Sequence, residues 1–373
     1  MTSFTRKLCL LLSLLMLAGC CGCGVKKVKV SAVTSGAAEQ READTYKISL
    51  SSEETLRMSN YMLSGRFIHE KKLLYGSRHD AAGQPYLCRM KYTAGQSGMY
   101  VRETEILEQA VDAQYLALDG SWLYYLRESL SDGKTDICRV LSAEGASTET
   151  QVLYDAPCDF LTLRKGRLYF TDAENHLLSM KEDGTDLKTE LADKEIFYPY
   201  LLTDDLLLFQ DDADGESLRM RYLPTGFELR ISQGRVFSYI VKGSELWFLR
   251  AGEGEGEKCR LCRTDLNEFL SGFDPLARPD AAFVFTIEEA DSFMGPVFSI
   301  NGDHINASNF RAEPIGNWKA ISDNAWEKGF QGACQYVAGE FEIFYNYNEE
   351  GLVSSMLFYE PALKRSGYIE VPG

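Results

Sequence analysis

The chain has 373 residues, 45% hydrophobic and 12% aromatic, which is enough apolar material for a large core and excludes a disordered polypeptide. Its formal net charge of -16 repels nucleic acid at long range and leaves neutral or cationic partners open. Twenty Tyr and 20 Phe against 10 Pro favour strands.

The first element is a targeting segment. Arg6 and Lys7 precede an apolar run from Leu8 to Leu17. A spanning helix needs about 20 apolar residues, so this run is too short and fits the core of a signal peptide. It ends in Leu17-Ala18-Gly19-Cys20. That tetrad resembles the lipobox of bacterial lipoproteins. The resemblance implies cleavage after residue 19 and a lipid on Cys20, holding the protein on the outer face of the cytoplasmic membrane. Residues 20–45 then read as a lipid-anchored tether, with Lys26, Lys27 and Lys29 near anionic head groups.

From about residue 48, short apolar segments alternate with Gly, Asp and Asn turns, and two markers repeat. The first is an apolar or aromatic pair: Leu74-Tyr75, Tyr124-Tyr125, Tyr169-Phe170, Leu208-Phe209 and Trp247-Phe248, spaced 50, 45, 39 and 39 residues apart. The second is a triplet: Cys88-Arg89-Met90, Cys138-Arg139-Val140, Leu178-Ser179-Met180, Leu218-Arg219-Met220 and Cys259-Arg260-Leu261, spaced 50, 40, 40 and 41 residues apart. Val297-Phe298 and Phe344-Tyr345 continue the pattern less regularly. In Trp122-Leu123-Tyr124-Tyr125-Leu126 both alternating faces are apolar, as in a sheet packed on both sides. Periods of this length with several strands each predict an all-β fold: a β-propeller of about seven four-stranded blades over residues 46–373. Segments 263–290 and 311–330 break the rhythm and read as irregular insertions.

The stretch Arg167-Leu168-Tyr169-Phe170-Thr171-Asp172, followed by Leu178-Ser179-Met180-Lys181-Glu182-Asp183-Gly184-Thr185, resembles one blade of bacterial propellers similar to the low-density-lipoprotein-receptor-related (Tyr-Trp-Thr-Asp-type) domain. The resemblance extends over about residues 60–265. It implies a fold and a binding role, with no chemistry attached.

No catalytic residue, metal set or cofactor motif stands out. Cys88, Cys138 and Cys259 share a slot that Leu178 and Leu218 fill elsewhere, so they read as small core hydrophobes. Pairing of Cys158, Cys262 and Cys334 stays open. Cys259-x-x-Cys262 lacks a second pair of ligands. Asp211-Asp212-Ala213-Asp214-Gly215-Glu216 fails as a calcium loop, because Gln210 and Arg221 would occupy its first and last ligand positions, and it reads as a hairpin turn. None of the four histidines has metal-ligand spacing. Trp318 and Trp326, beside Asn317 and Asn324, are the candidate ligand contacts. The function expected is a membrane-anchored extracytoplasmic binding or scaffold lipoprotein that recognises a peptide, glycan or protein through a propeller face. The alternative is a surface glycan hydrolase or lyase on the same scaffold.

Overall fold

The computed structural model describes residues 26–33, 47–70, 72–80, 82–95, 98–130, 133–252, 259–270, 282–293, 297–302, 304–308, 314–319, 326–327, 334–339, 341–347, 353–360 and 365–370. Among these the fold is all-β, built from four-stranded antiparallel meanders in chain order. Strand β1 (Lys26–Val33) comes first and pairs far along the chain. Sheet one holds β2 (Phe67–Glu70), β3 (Leu73–His79), β4 (Pro85–Gly95) and β5 (Gly98–Gln109). Sheet two holds β6 (Val111–Asp119), β7 (Trp122–Ser129), β8 (Thr135–Leu141) and β9 (Gln151–Tyr154). Sheet three holds β10 (Cys158–Arg164), β11 (Arg167–Asp172), β12 (Leu177–Lys181) and β13 (Lys188–Leu191).

The next two units share a strand. Sheet four comprises β14 (Ile196–Leu201), β15 (Leu206–Asp211), β16 (Ser217–Tyr222) and the first half of β17 (Phe227–Lys242). The second half of β17 opens sheet five, with β18 (Glu245–Arg250), β19 (Cys259–Asp265) and β20 (Ala282–Phe293); β1 adds to its outer edge. Sheet six holds β21 (Val297–Asn301), β22 (His304–Ser308), β23 (Pro314–Lys319) and β24 (Trp326–Glu327). Sheet seven holds β25 (Cys334–Ala338), β26 (Phe341–Tyr347), β27 (Val353–Glu360) and β28 (Arg365–Glu370).

The repeated sequence markers map onto this pattern. All five pairs lie on second strands and all five triplets on third strands of sheets one to five. These strands are buried on both faces. Leu123, Tyr124, Tyr125 and Leu126 are all core, and every residue of β15 is buried. Each sheet is therefore covered by neighbours. Tyr75 and Leu87 of sheet one share a core with Leu123 and Tyr125 of sheet two. Leu177 and Leu191 of sheet three share one with Leu207 and Phe209 of sheet four. The last sheet packs on the first: Phe67, Leu74 and Met90 meet Ile343, Met356 and Phe358. The long β4–β5 hairpin adds a second link, since β5 lies against β28.

Three readings of the sequence change. Lys26–Val33, inside the expected tether, form a strand antiparallel to β20, with Lys27 opposite Glu288 and Lys26 opposite Glu289. The expected insertion at 263–290 contains the ends of β19 and β20 and the short helix α2 (Leu266–Leu270), and 311–330 supplies β23 and β24. Both supply strands that complete sheets, including the apolar start of β20, Phe283-Val284-Phe285. Val297-Phe298 sits on a first strand, one strand earlier than the repeat rhythm implies.

A helix also lies where only strands are expected. Helix α1 (Ser52–Met62) starts at a capping box: the Ser51 hydroxyl accepts from the Glu54 amide at 3.2 Å, and Glu54 accepts from the Ser51 amide at 2.8 Å. The segment leading into it is pinned to sheet five, where the Asn267 side chain bonds both Ile48 backbone groups and Leu50 bridges Gly243.

Candidate functional site

Helix α1 lies among the first strands of the sheets. Those strands lie beside one another: β2 against β6, β6 against β10, β10 against β14, β17 against β21, and β25 against β2. The helix meets them with polar side chains. Thr55 donates to the Val241 carbonyl at 2.9 Å, and Ser59 donates to the Ile300 carbonyl at 2.8 Å and accepts from its amide at 3.0 Å. Asn60 Nδ2 donates to the Phe67 carbonyl at 2.6 Å, and the Tyr61 hydroxyl to the Pro199 carbonyl at 2.9 Å. Four sheets are thus tied to one helix. The following turn does the same for sheet two, where the Tyr115 and Leu116 amides donate to Ser64 and Gly65, both at 2.8 Å. Gly65 has φ +52°, and a Cβ there would come within 2.8 Å of Tyr115 Cα, so a side chain cannot be fitted against that strand.

An aromatic layer crosses the centre beside the helix. Tyr115, Phe160 and Tyr198 occupy equivalent bulges in β6, β10 and β14, with φ of 52°, 56° and 49°. Positive φ is costly for bulky residues, about 1–3 kcal/mol each, so surrounding contacts must impose it. They do: ring centroids lie 5.4 Å apart for Tyr61–Tyr115, 6.1 Å for Tyr115–Phe160 and 4.5 Å for Phe160–Tyr198. Burial pushes the phenols of Tyr61, Tyr115 and Tyr239 well above their ordinary pKa, so they remain neutral hydrogen-bond donors. The sequence carries a signal for this layer: each ring stands 10 or 11 residues before the aromatic of the marker pair that follows it.

On one side of the layer lies a cavity of about 640 Å³, a volume typical of small-ligand sites. Its wall comes from α1, β2, β6, β10, β14 and β25. Leu116, Leu161, Leu201 and Val337 form apolar parts of the wall, while Glu53, Glu54, Glu70, Asp119, Arg57, Arg164 and Lys165 also line it. Several of these charges are paired: Arg57 with Glu53 at 2.6 Å, Lys165 with Asp204 at 2.6 Å and Arg164 with Asp204 at 3.3 Å. Burial raises the Glu54 carboxyl, but its bonds from Ser51 and nearby Arg57 outweigh this and its pKa ends below the usual value. His69 also lines the cavity, with a ring nitrogen hydrogen-bonded to the Tyr92 hydroxyl. Gly339 (φ +57°) packs against that imidazole so closely that a Cβ would meet Nδ1 at 2.6 Å.

On the other side of Phe160 stands Asp159. It is solvent-exposed yet hemmed in by Tyr115, Tyr198 and Glu128. It accepts from the Phe160 amide at 2.7 Å and from the Tyr115 hydroxyl, but crowding by the protein dominates and raises its pKa. A carboxyl held protonated to higher pH in the folded state than in the unfolded chain contributes stability below the unfolded pKa of about 4, and this is lost as pH rises through the folded value. Asp159→Asn should therefore be more stable than the parent at pH 7, with the gap closing as pH falls toward about 4. Urea unfolding across that range checks this; a gap independent of pH would contradict it.

The residues singled out in the sequence fall as follows. Cys20 lies outside the described residues. Trp318 and Trp326 are directly opposite each other where β23 and β24 pair; their side chains also lie outside the description. Cys88, Cys138, Cys158 and Cys259 are buried and unpaired and Cys262 is buried, while the Cys334 side chain is outside the described set. Burial pushes the Cys88 and Cys158 thiols up to about 12, leaving them inert. Trp247 is core, and Trp122 is half-buried with the Arg139 guanidinium 4.1 Å from its ring centroid. Residues Asp212–Asp214 form a 3-10 turn, and Asp211 and Asp214 are engaged by Lys194, Arg219 and Arg230. Asp172, Glu174 and His176 cluster within 4.8 Å at a hairpin, where Asp172 accepts from the Glu174 and His176 amides. Among the described residues, no helix is long and apolar enough to cross a membrane.

No family model matches the chain, and no curated protein does. Among solved structures, the computationally designed Ika8 protein is similar, with a TM-score of 0.46 and 9% identity over 90% of this chain and 89% of that one.

Proposed function

We propose that the chain is a lipid-anchored extracytoplasmic binding protein, a seven-bladed propeller closed around helix α1, with the cavity beside that helix as its ligand site. The observation that carries the binding role is the origin of the cavity wall. Strands of sheets one, two, three, four and seven meet the helix there, so five sheets converge on one space with apolar and charged walls. The packing of sheet seven on sheet one supports closure of the ring. Hydrolysis would call for two carboxyl groups facing a bound sugar. Of the four lining carboxylates, Glu54 is engaged in the helix cap and Glu53 with Arg57, so that alternative would rest on Glu70 and Asp119.

The address rests on Arg6, Lys7, the apolar run and Cys20. Metabolic labelling with an alkynyl fatty acid should tag the protein, Cys20→Ala should abolish the tag, and the variant should leave the membrane fraction for the soluble extracytoplasmic one. An untagged parent protein that resists protease added to intact cells would sink the lipid address.

A further inference from the structure

The cavity also indicates what kind of ligand it takes. The first strand of each of sheets one, two, three, four, six and seven is paired on one edge only, and the second half of β17 pairs with β18. Such an edge presents unpaired amides and carbonyls. Helix α1 and its following turn occupy these groups at β2, β6, β14, β17 and β21, through the bonds from Thr55, Ser59, Asn60 and Tyr61 and to Ser64 and Gly65. At β10 they do not. Among the described residues, no hydrogen bond from outside the sheet reaches Leu161–Leu163, and this stretch lines the cavity. A second, independent feature lies across the space. Asn60 is 8% exposed and lines the same cavity; its Nδ2 is fixed on the Phe67 carbonyl, which leaves buried Oδ1 an acceptor without a donor.

We propose that this cavity receives an extended peptide segment that pairs with the inner edge of β10 at Leu161–Leu163 and buries one apolar side chain among Leu116, Leu161, Leu201 and Val337. This rests on the binding reading given above. A backbone edge is matched by another backbone, the chemistry of strand addition. A glycan has no run of amides and carbonyls with the spacing of a strand edge. The chain's own segment 34–46 is a poor occupant, because it has no Leu, Ile, Val, Met or Phe to fill the apolar space. With Glu53, Glu54, Glu70 and Asp119 in the lining, a neutral segment is favoured over an acidic one.

The test uses the purified full chain in detergent and calorimetry with blocked tripeptides: N-acetyl-Ala-Leu-Ala-amide, the same peptide methylated on its backbone nitrogens, and the version with central Asp. The Leu peptide should bind with a Kd of about 1 mM or tighter. Methylation, or central Asp, should weaken it at least about tenfold. So should Ala117→Trp, which places a large ring in the cavity and is checked for a parental melting curve. The methylated peptide needs no variant, so the test stands even if that variant misfolds. No binding of the Leu peptide, or equal binding of its methylated form, overturns the proposal. Binding of cello- or chito-oligosaccharides that Ala117→Trp blocks would overturn the peptide class and leave the binding-protein reading in place, and the Cys20 label reports on the address separately.

Discussion

Tyr61→Ala is expected to destabilise the protein by about 3–5 kcal/mol, the usual cost of deleting a buried aromatic ring. Tyr61 is 5% exposed and sits where the helix, the aromatic layer and the cavity meet. Its ring touches Tyr115 and Tyr200, at 5.4 and 5.6 Å between centroids, and its hydroxyl holds the Pro199 carbonyl of sheet four. Removal therefore opens a void next to an existing one, and it releases the contacts that hold Tyr115 in its strained conformation. Tyr61→Phe separates the two effects. It keeps the ring and leaves one carbonyl without its donor, for a loss of about 1–3 kcal/mol. Urea unfolding of both variants gives the comparison. A loss below about 1 kcal/mol for Tyr61→Ala would mean that the helix is not seated among the first strands.

The reason so much depends on one helix is geometric. The sheets pack neighbour to neighbour, and their first strands turn edges with unmet backbone groups toward the helix. Those groups must bond to something or lose free energy. Here Thr55, Ser59, Asn60 and Tyr61 bond to them, which explains why a buried helix carries so many polar residues on its inner face.

The same fact explains what the sequence concealed. The strands were legible because the second strand of each sheet is buried on both faces, and unbroken apolar runs such as Leu206-Leu207-Leu208-Phe209 announce themselves at a fixed period. Helix α1 buries only a short apolar set, Met58, Tyr61 and Met62, and beside it Thr55, Ser59 and Asn60 are buried polar residues bonded to strand edges, which blurs the apolar period. Only the Ser51-x-x-Glu54 capping box marked it. Without the helix, the cavity was invisible too: Tyr61, Leu116, Leu161 and Val337 are far apart in sequence and meet only because five sheets converge. The late sheets were harder to see because their outer strands are short or polar, as in β24 (Trp326–Glu327), so their segments passed for insertions.

The acidic run at 211–216 gives the second large effect, and it is structural. Asp211 ends β15 with a side chain 2% exposed, facing Lys194 at 2.5 Å and Arg219 at 2.9 Å. Removing one partner of a buried pair costs about 3–5 kcal/mol, because the remaining charge stays in a poor solvent. Lys194 and Arg219 are each about a fifth exposed, and both also contact Glu228, so they retain part of their compensation. The expected loss for Asp211→Ala therefore lies at the lower end, about 3 kcal/mol. Adding Arg219→Ala should cost less than the two single losses together, since the second change removes a charge that the first left stranded. Strict additivity in urea unfolding would show that Asp211 and Arg219 are not coupled. The turn would then rest on its other contacts, Lys194 with Asp211 and Arg230 with Asp214, and on Gly215 at φ +64°.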